Sequence, residues 1–165
     1  MAPFGADFHL LKNGPVTLYH RQEVLDDAVA AFSGLGYLVH RLDARAWTTR
    51  ADFAAAVKEE LDFPDHFGGN LDAFNDCMRD VAAFEYGADR ESAGTVLVLT
   101  GYDTFAALDR RAAQIILDIV ADNARVALLH GHRMACLVQS DDRDIRFEPV
   151  GATPVAWAPG ELRRS

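Results

Sequence analysis

The chain has 165 residues, half of them hydrophobic, and a formal net charge of −9. That length suffices for the buried core of one domain, and no apolar run approaches the roughly 18 residues that would cross a bilayer as a helix. The acidic surplus argues against nucleic acid or an anionic membrane as partner, because both call for a basic patch, and it favours a basic protein.

The opening MAPFGADFHLLKNG has no basic stretch leading into an apolar core. A cytoplasmic protein without a secretory leader is therefore expected. Residues 1–15 read as irregular. Residues 16–20 alternate enough for a short strand. Val24, Leu25, Ala28 and Phe32 fall at helical spacing over 22–32, and Gly34 and Gly36 stop that helix. Tyr37–Asp43 reads as a second strand. This strand–helix–strand opening predicts a parallel pair joined by a right-handed crossover. Thr49-Arg50-Ala51-Asp52 resembles a capping box with Asp in place of Glu. The helix it opens runs to Leu61, with Phe53, Val57 and Leu61 facing inward.

The stretch 63–80, FPDHFGGNLDAFNDCMRD, concentrates the unusual features. Pro64 ends the preceding helix, since a residue before proline is pushed out of the α region. Gly68 and Gly69 allow backbone angles closed to other residues. Asn70 is a good N-cap, and a helix follows from Leu71. Leu71, Phe74, Met78 and Val81 form its inner stripe. Asp72, Asn75, Asp76, Arg79 and Asp80 fall on the other side. Asp72, Asp76 and Asp80 are spaced i, i+4, i+8, which costs roughly 0.2–0.5 kcal/mol per like-charged pair. The helix dipole favours Asp72 in the first turn and does less for Asp76. Arg79, three residues on, compensates Asp76 in part. The face is either a solvated surface or a binding surface.

Residues 95–100, TVLVLT, are apolar throughout, as for a parallel strand covered on both faces. Asp103 is placed to cap a short helix over 104–108. Asp109 is placed to cap a longer one through Ile115, Ile116, Ile119 and Val120, reaching as far as Leu129, and Gly131 ends it. Met134–Gln139 is another buried strand, and 141–144 a polar turn. The Pro- and Gly-rich tail reads as an ordered arm that sets 155–157 on the sheet. The fold class is α/β: a small, mainly parallel sheet of three to four strands wrapped by helices, in a single domain over 1–165.

Other chemistry finds little support. Cys77 and Cys136 lie in apolar contexts and read as buried free thiols. The six histidines are scattered, and His130 and His132 have no carboxylate at metal-ligand spacing. No metal, cofactor, phosphate loop, dinucleotide fingerprint or nucleophile elbow is expected. Asp72 and Asp76 as an acid–base pair would make a hydrolase, but they sit on adjacent turns with nothing to build a cleft. No catalytic residue is assigned. Trp47 and Trp157 read as packing residues rather than base-stacking platforms.

The stretch 63–80 resembles the core motif of the barstar family, intracellular protein inhibitors of secreted bacterial ribonucleases. The resemblance is carried by Pro64, the pair His66 and Phe67, Gly68, Asn70-Leu71-Asp72-Ala73 and Asp76. Upstream, Asp52-Phe53-Ala54 through Glu59-Glu60-Leu61 resembles that family's second helix, and downstream 95–100 and Met134–Gln139 resemble its other strands. The likeness covers about 37–140. It leaves an extra strand and helix, 16–34, and a C-terminal arm, 141–165. It implies a non-enzymatic inhibitor, monomeric when free, that blocks a basic ribonuclease or related toxin with carboxylates standing in for substrate phosphates. Asp76 would fill the cationic site, Asp72 would flank it, and His66, Phe67, Gly68, Asn70 and Asn75 would shape the rim. Asn75 departs from the family in standing where other members have a large aromatic. Gln114 falls where a partner-contacting acid is expected. The alternative is a non-catalytic acidic interaction domain on the same scaffold, binding a basic partner that is not a nuclease.

Overall fold

Polarity sorts the strands of this chain. GTVLVLT (β3, Gly94–Thr100) and MACLVQ (β4, Met134–Gln139) carry almost nothing that needs water, while YLVHRLD (β2, Tyr37–Asp43) carries three polar side chains. In the computed structural model, which describes Leu11 and residues 14–162, β3 and β4 are buried and β2 forms an edge. Beyond β4 lie β1 (Val16–Tyr19) and then β5 (Ala156–Trp157), giving the order β2-β3-β4-β1-β5. Every pairing is parallel. The sheet therefore has five strands rather than three or four, the fifth being two residues of the arm.

The expected pairing of the first two strands does not form. β1 lies against β4, with Val16 opposite Cys136, and β3 and β4 stand between β1 and β2. The reason is burial: all four residues of β1 are buried, whereas β2 exposes Arg41 and Asp43 and belongs at a rim.

Helices cover both faces, as a parallel sheet requires. One face carries α1 (Gln22–Gly34), whose Leu25, Ala28, Val29 and Phe32 pack on Tyr19, Val96, Val98 and Leu137. The other face carries α2 (Arg50–Leu61), α3 (Leu71–Ala82), α4 (Tyr102–Leu108) and α5 (Arg110–Leu128). Their core meets the alternate strand residues, among them Leu18, Leu97, Leu99, Cys136 and Val138. Trp47, Phe53, Phe74 and Phe105 interlock there, largely edge to face.

Two caps form as the sequence reads: the Thr49 hydroxyl and Asp52 carboxylate make a reciprocal capping box on α2, and Asp109 caps α5. Asp103 does not cap α4. Gly101, with φ of +62°, starts that helix, and Asp103 instead accepts a hydrogen bond from the Asp141 amide. Both cysteines are buried and unbridged, and burial pushes the Cys136 thiol up to about 12. His40 on β2 sits between the Glu60 carboxylate at 2.9 Å and the Gly87 carbonyl at 2.7 Å. Among the described residues no helix is long and apolar enough to cross a membrane.

Candidate functional site

The loop between α2 and α3 is fixed from inside by aromatics. Asp62 closes α2 in the left-handed region, with φ of 58°. The next side chain, Phe63, is buried against Phe67, Phe74 and Tyr86 at centroid distances of 5.1, 6.3 and 5.8 Å. The Phe67 amide donates to the Pro64 carbonyl at 2.9 Å and turns the chain, so that His66 projects into solvent while Phe67 stays half-buried. Of the two glycines only Gly69 takes a positive φ, +80°. Gly68 is exposed, and a Cβ there would meet nothing closer than Ala73 at 3.8 Å.

Asn70 then starts α3, its side-chain oxygen accepting from the Ala73 amide at 2.7 Å. Phe74, Cys77, Met78, Val81 and Ala82 bury one face of the helix. Asp72 and Asp76 stand exposed on the other. Four residues of helix separate them by about 6 Å along the axis. Neither carboxylate makes a hydrogen bond or ion pair among the described residues, and Arg79 does not reach Asp76. The third member of the acidic series differs: Asp80 accepts from the Tyr86 hydroxyl at 2.7 Å. Burial, then the bonds to Cys77 and Asp80, pushes that hydroxyl far above its ordinary range, so it stays a donor. One aspartate is thus used by the fold, and two are left over.

Asn75 is half-buried and turned toward α5. Its side-chain oxygen accepts from Nδ2 of Asn123 at 2.9 Å. Asn123 is itself buried, also donates to the Ile119 carbonyl at 2.9 Å, and leaves its own Oδ1 without a partner. Gln114 lies on α5 with both ends of its amide engaged: Nε2 donates to the Glu148 carbonyl at 3.0 Å, and Oε1 accepts from the Glu148 amide at 2.9 Å. It straps the arm to the helix. The loop-helix thus carries His66, Phe67, Gly68, Asn70, Asp72, Asn75 and Asp76 together, and Gln114 belongs to a separate contact.

Asn123 and Tyr86 are the residues that sequence reading passed over. Asn123 had a signal, a lone amide on the apolar stripe of a long helix, where an uncompensated polar group is costly. Tyr86 had none, since its partner is set by the path of the loop after α3.

A family model described as Barstar (barnase inhibitor) matches residues 37–139. The match runs from β2 to the end of β4 and contains the whole loop-helix; β1, α1 and the arm lie outside it. No curated protein matches. Among solved structures, the chain is similar to one chain of the structure of Drosophila ORC bound to AT-rich DNA and Cdc6, with a TM-score of 0.54 and 15% identity, over 98% of this chain and 56% of that one. At that identity the likeness shows the α/β fold alone, and this chain spans little more than half the length of that one.

Proposed function

The chain belongs to the barstar family, and from that membership we propose that it is a non-enzymatic inhibitor, which closes the active site of a basic ribonuclease or related toxin with the loop-helix 62–76. The observation that supports this most directly is the pair of free carboxylates at Asp72 and Asp76. They are held about 6 Å apart on a helix whose opposite face is locked into the core. A ribonuclease binds its substrate phosphates with cationic side chains. Two fixed carboxylates can occupy two such anion positions and accept charge-assisted hydrogen bonds. Rigidity matters, because a helix already ordered in the free protein spends little binding energy on ordering itself.

In this reading His66 and Asn70 border the acidic pair, and Asn75, a small amide tied to Asn123, lies beside it on the side toward α5. A flatter surface there suits a partner different from one recognised through a bulky ring. Gln114 contributes by holding the arm. The test is to titrate the chain into a basic microbial ribonuclease such as barnase, and into basic nucleases captured by the chain from its source cells, while following RNA cleavage. Stoichiometric loss of cleavage is expected with at least one of them. A captured basic partner with no nuclease activity, together with no inhibition of any nuclease, would move the reading to an acidic interaction domain.

A further inference from the structure

The sheet edge built outside the family-matched residues encloses a cavity of about 270 Å³. Its floor is Leu18 of β1, and its walls come from the arm: Arg143, Asp144, Arg146, Phe147 and Trp157. In a chain of net charge −9, this is a place where two arginines converge. Both are exposed, and neither pairs with a carboxylate among the described residues. Most other arginines with described partners are tied to an acid, as Arg21 is to Glu161, Arg45 to Asp141 and Arg50 to Asp109.

The aromatic walls are unequal. Phe147 is occupied, with Arg110 lying 4.3 Å from its ring centre and Tyr102 5.9 Å away. Trp157 is half-buried, has no ring or cation against it among the described residues, and gives its indole N–H to no acceptor. Asp144 supplies the complementary chemistry. Its amide donates to Asp142 at 2.8 Å, and its carboxylate remains uncommitted at the cavity wall.

These features fit one kind of molecule. Two free guanidiniums match a phosphate, for which they offer bidentate donors. The half-buried indole of Trp157, which packs on the core and lines the cavity, matches a planar ring. A carboxylate at the same wall, Asp144, matches a hydroxyl or amine donor. We propose that this cavity binds a nucleoside monophosphate, with the phosphate on Arg143 and Arg146, the base against Trp157 and a ribose hydroxyl or base amine on Asp144. Its size admits one nucleotide. Trp157 then serves as a stacking platform and not only as packing. The site does not depend on the inhibitor reading, because none of its residues lies in the matched segment or on α3.

The experiment titrates the full chain with the 5′-monophosphates of the four common nucleosides, following tryptophan fluorescence and heat. Trp47 is 2% exposed and supplies a constant background. Saturable binding of at least one monophosphate is expected. The parent nucleoside and inorganic phosphate should each bind about tenfold weaker or worse, and an Arg143→Gln/Arg146→Gln double variant should lose about tenfold or more, since one lost charge-assisted contact corresponds to at least that factor. Trp157→Ala should lose roughly ten- to hundredfold, the usual effect of removing a stacking ring. The arginine variant keeps the test sound if Trp157→Ala undocks the arm, because both guanidiniums are exposed and have no partner among the described residues. The proposal is overturned by any of three results: no saturable binding of any monophosphate up to about 10 mM, far above a specific small-ligand affinity; binding undiminished in the arginine variant; or inorganic phosphate binding as well as the nucleotide.

Discussion

Removing the Asp76 carboxylate takes away nothing that the described fold uses, since the side chain is exposed and has no partner among the described residues. Asp76→Ala should leave unfolding stability within about 0.5 kcal/mol, as at most surface sites. If the carboxylate enters a cationic pocket, the same change should weaken binding to the nuclease by about 2 kcal/mol or more, much of it from partner charges left unpaired. Asp27→Ala, on the far helix α1, serves as control; equal affinity of the two variants in calorimetric titration would refute the phosphate-mimic mechanism. His132 poses the opposite case, a side chain that only the fold uses. Its Nδ1 donates to the Ala82 carbonyl at 3.1 Å, its Nε2 accepts from the Thr95 hydroxyl at 2.7 Å, and its ring stacks on Phe84. Burial holds its pKa below the ordinary 6.5. The unfolded chain therefore binds this proton more readily, and stability rises with pH. The contribution is complete above pH 6.5 and is lost as pH falls through the depressed folded value. Urea unfolding at a series of pH values below 6.5 should show the wild type losing more stability than His132→Gln. Parallel slopes would mean that the imidazole is not held neutral.

At the scale of elements, the contact between α3 and α5 includes one amide pair, half-buried Asn75 on buried Asn123. Asn75→Ala removes one of the two acceptors of Asn123 Nδ2 and leaves one of its N–H groups unpaired, beside an Oδ1 that already lacks a partner, at a cost of roughly 1–3 kcal/mol. Replacing both by Leu should recover much of the loss, since apolar groups of similar shape leave nothing unsatisfied; a double variant as unstable as the single one would contradict this account. The same pair marks how far sequence reading reaches. Asn70, Thr49 and Asp109 were legible as caps because each acts on an amide within three residues. The inward and outward faces of α3 were legible because helical periodicity fixes them. Asp103 misled because a glycine in the left-handed region, two residues earlier, opens α4 before it. The place of β1 was illegible for a different reason: its partners are chosen by which strands are apolar on both faces, and that comparison involves the whole chain. Gln114 and Asn123 meet residues 34 and 48 positions away, beyond anything a local pattern reports.

For the molecule as a whole, charge sets the approach to a partner. A −9 chain meeting a basic protein gains speed from long-range attraction, which salt screens beyond about 8–10 Å near physiological ionic strength. Stopped-flow association rates should fall steeply between low and moderate salt, with dissociation changing less; an on-rate indifferent to salt would indicate a mainly apolar interface. The strand order has a consequence in time. β1 is made first, yet the strands on either side of it, β4 and β5, are among the last to be made, and Val16 waits for Cys136. At synthesis rates of about 5–20 residues per second, the gap of 120 positions between β1 and β4 keeps an apolar strand without its sheet for roughly ten seconds. Residues 37–139 can begin to assemble around β2 and β3 before that wait is over. A ribosome-bound chain stopped short of Met134 should therefore expose β1 to protease or to a holding chaperone, and release from the ribosome should be followed by the insertion of the oldest strand between the two youngest.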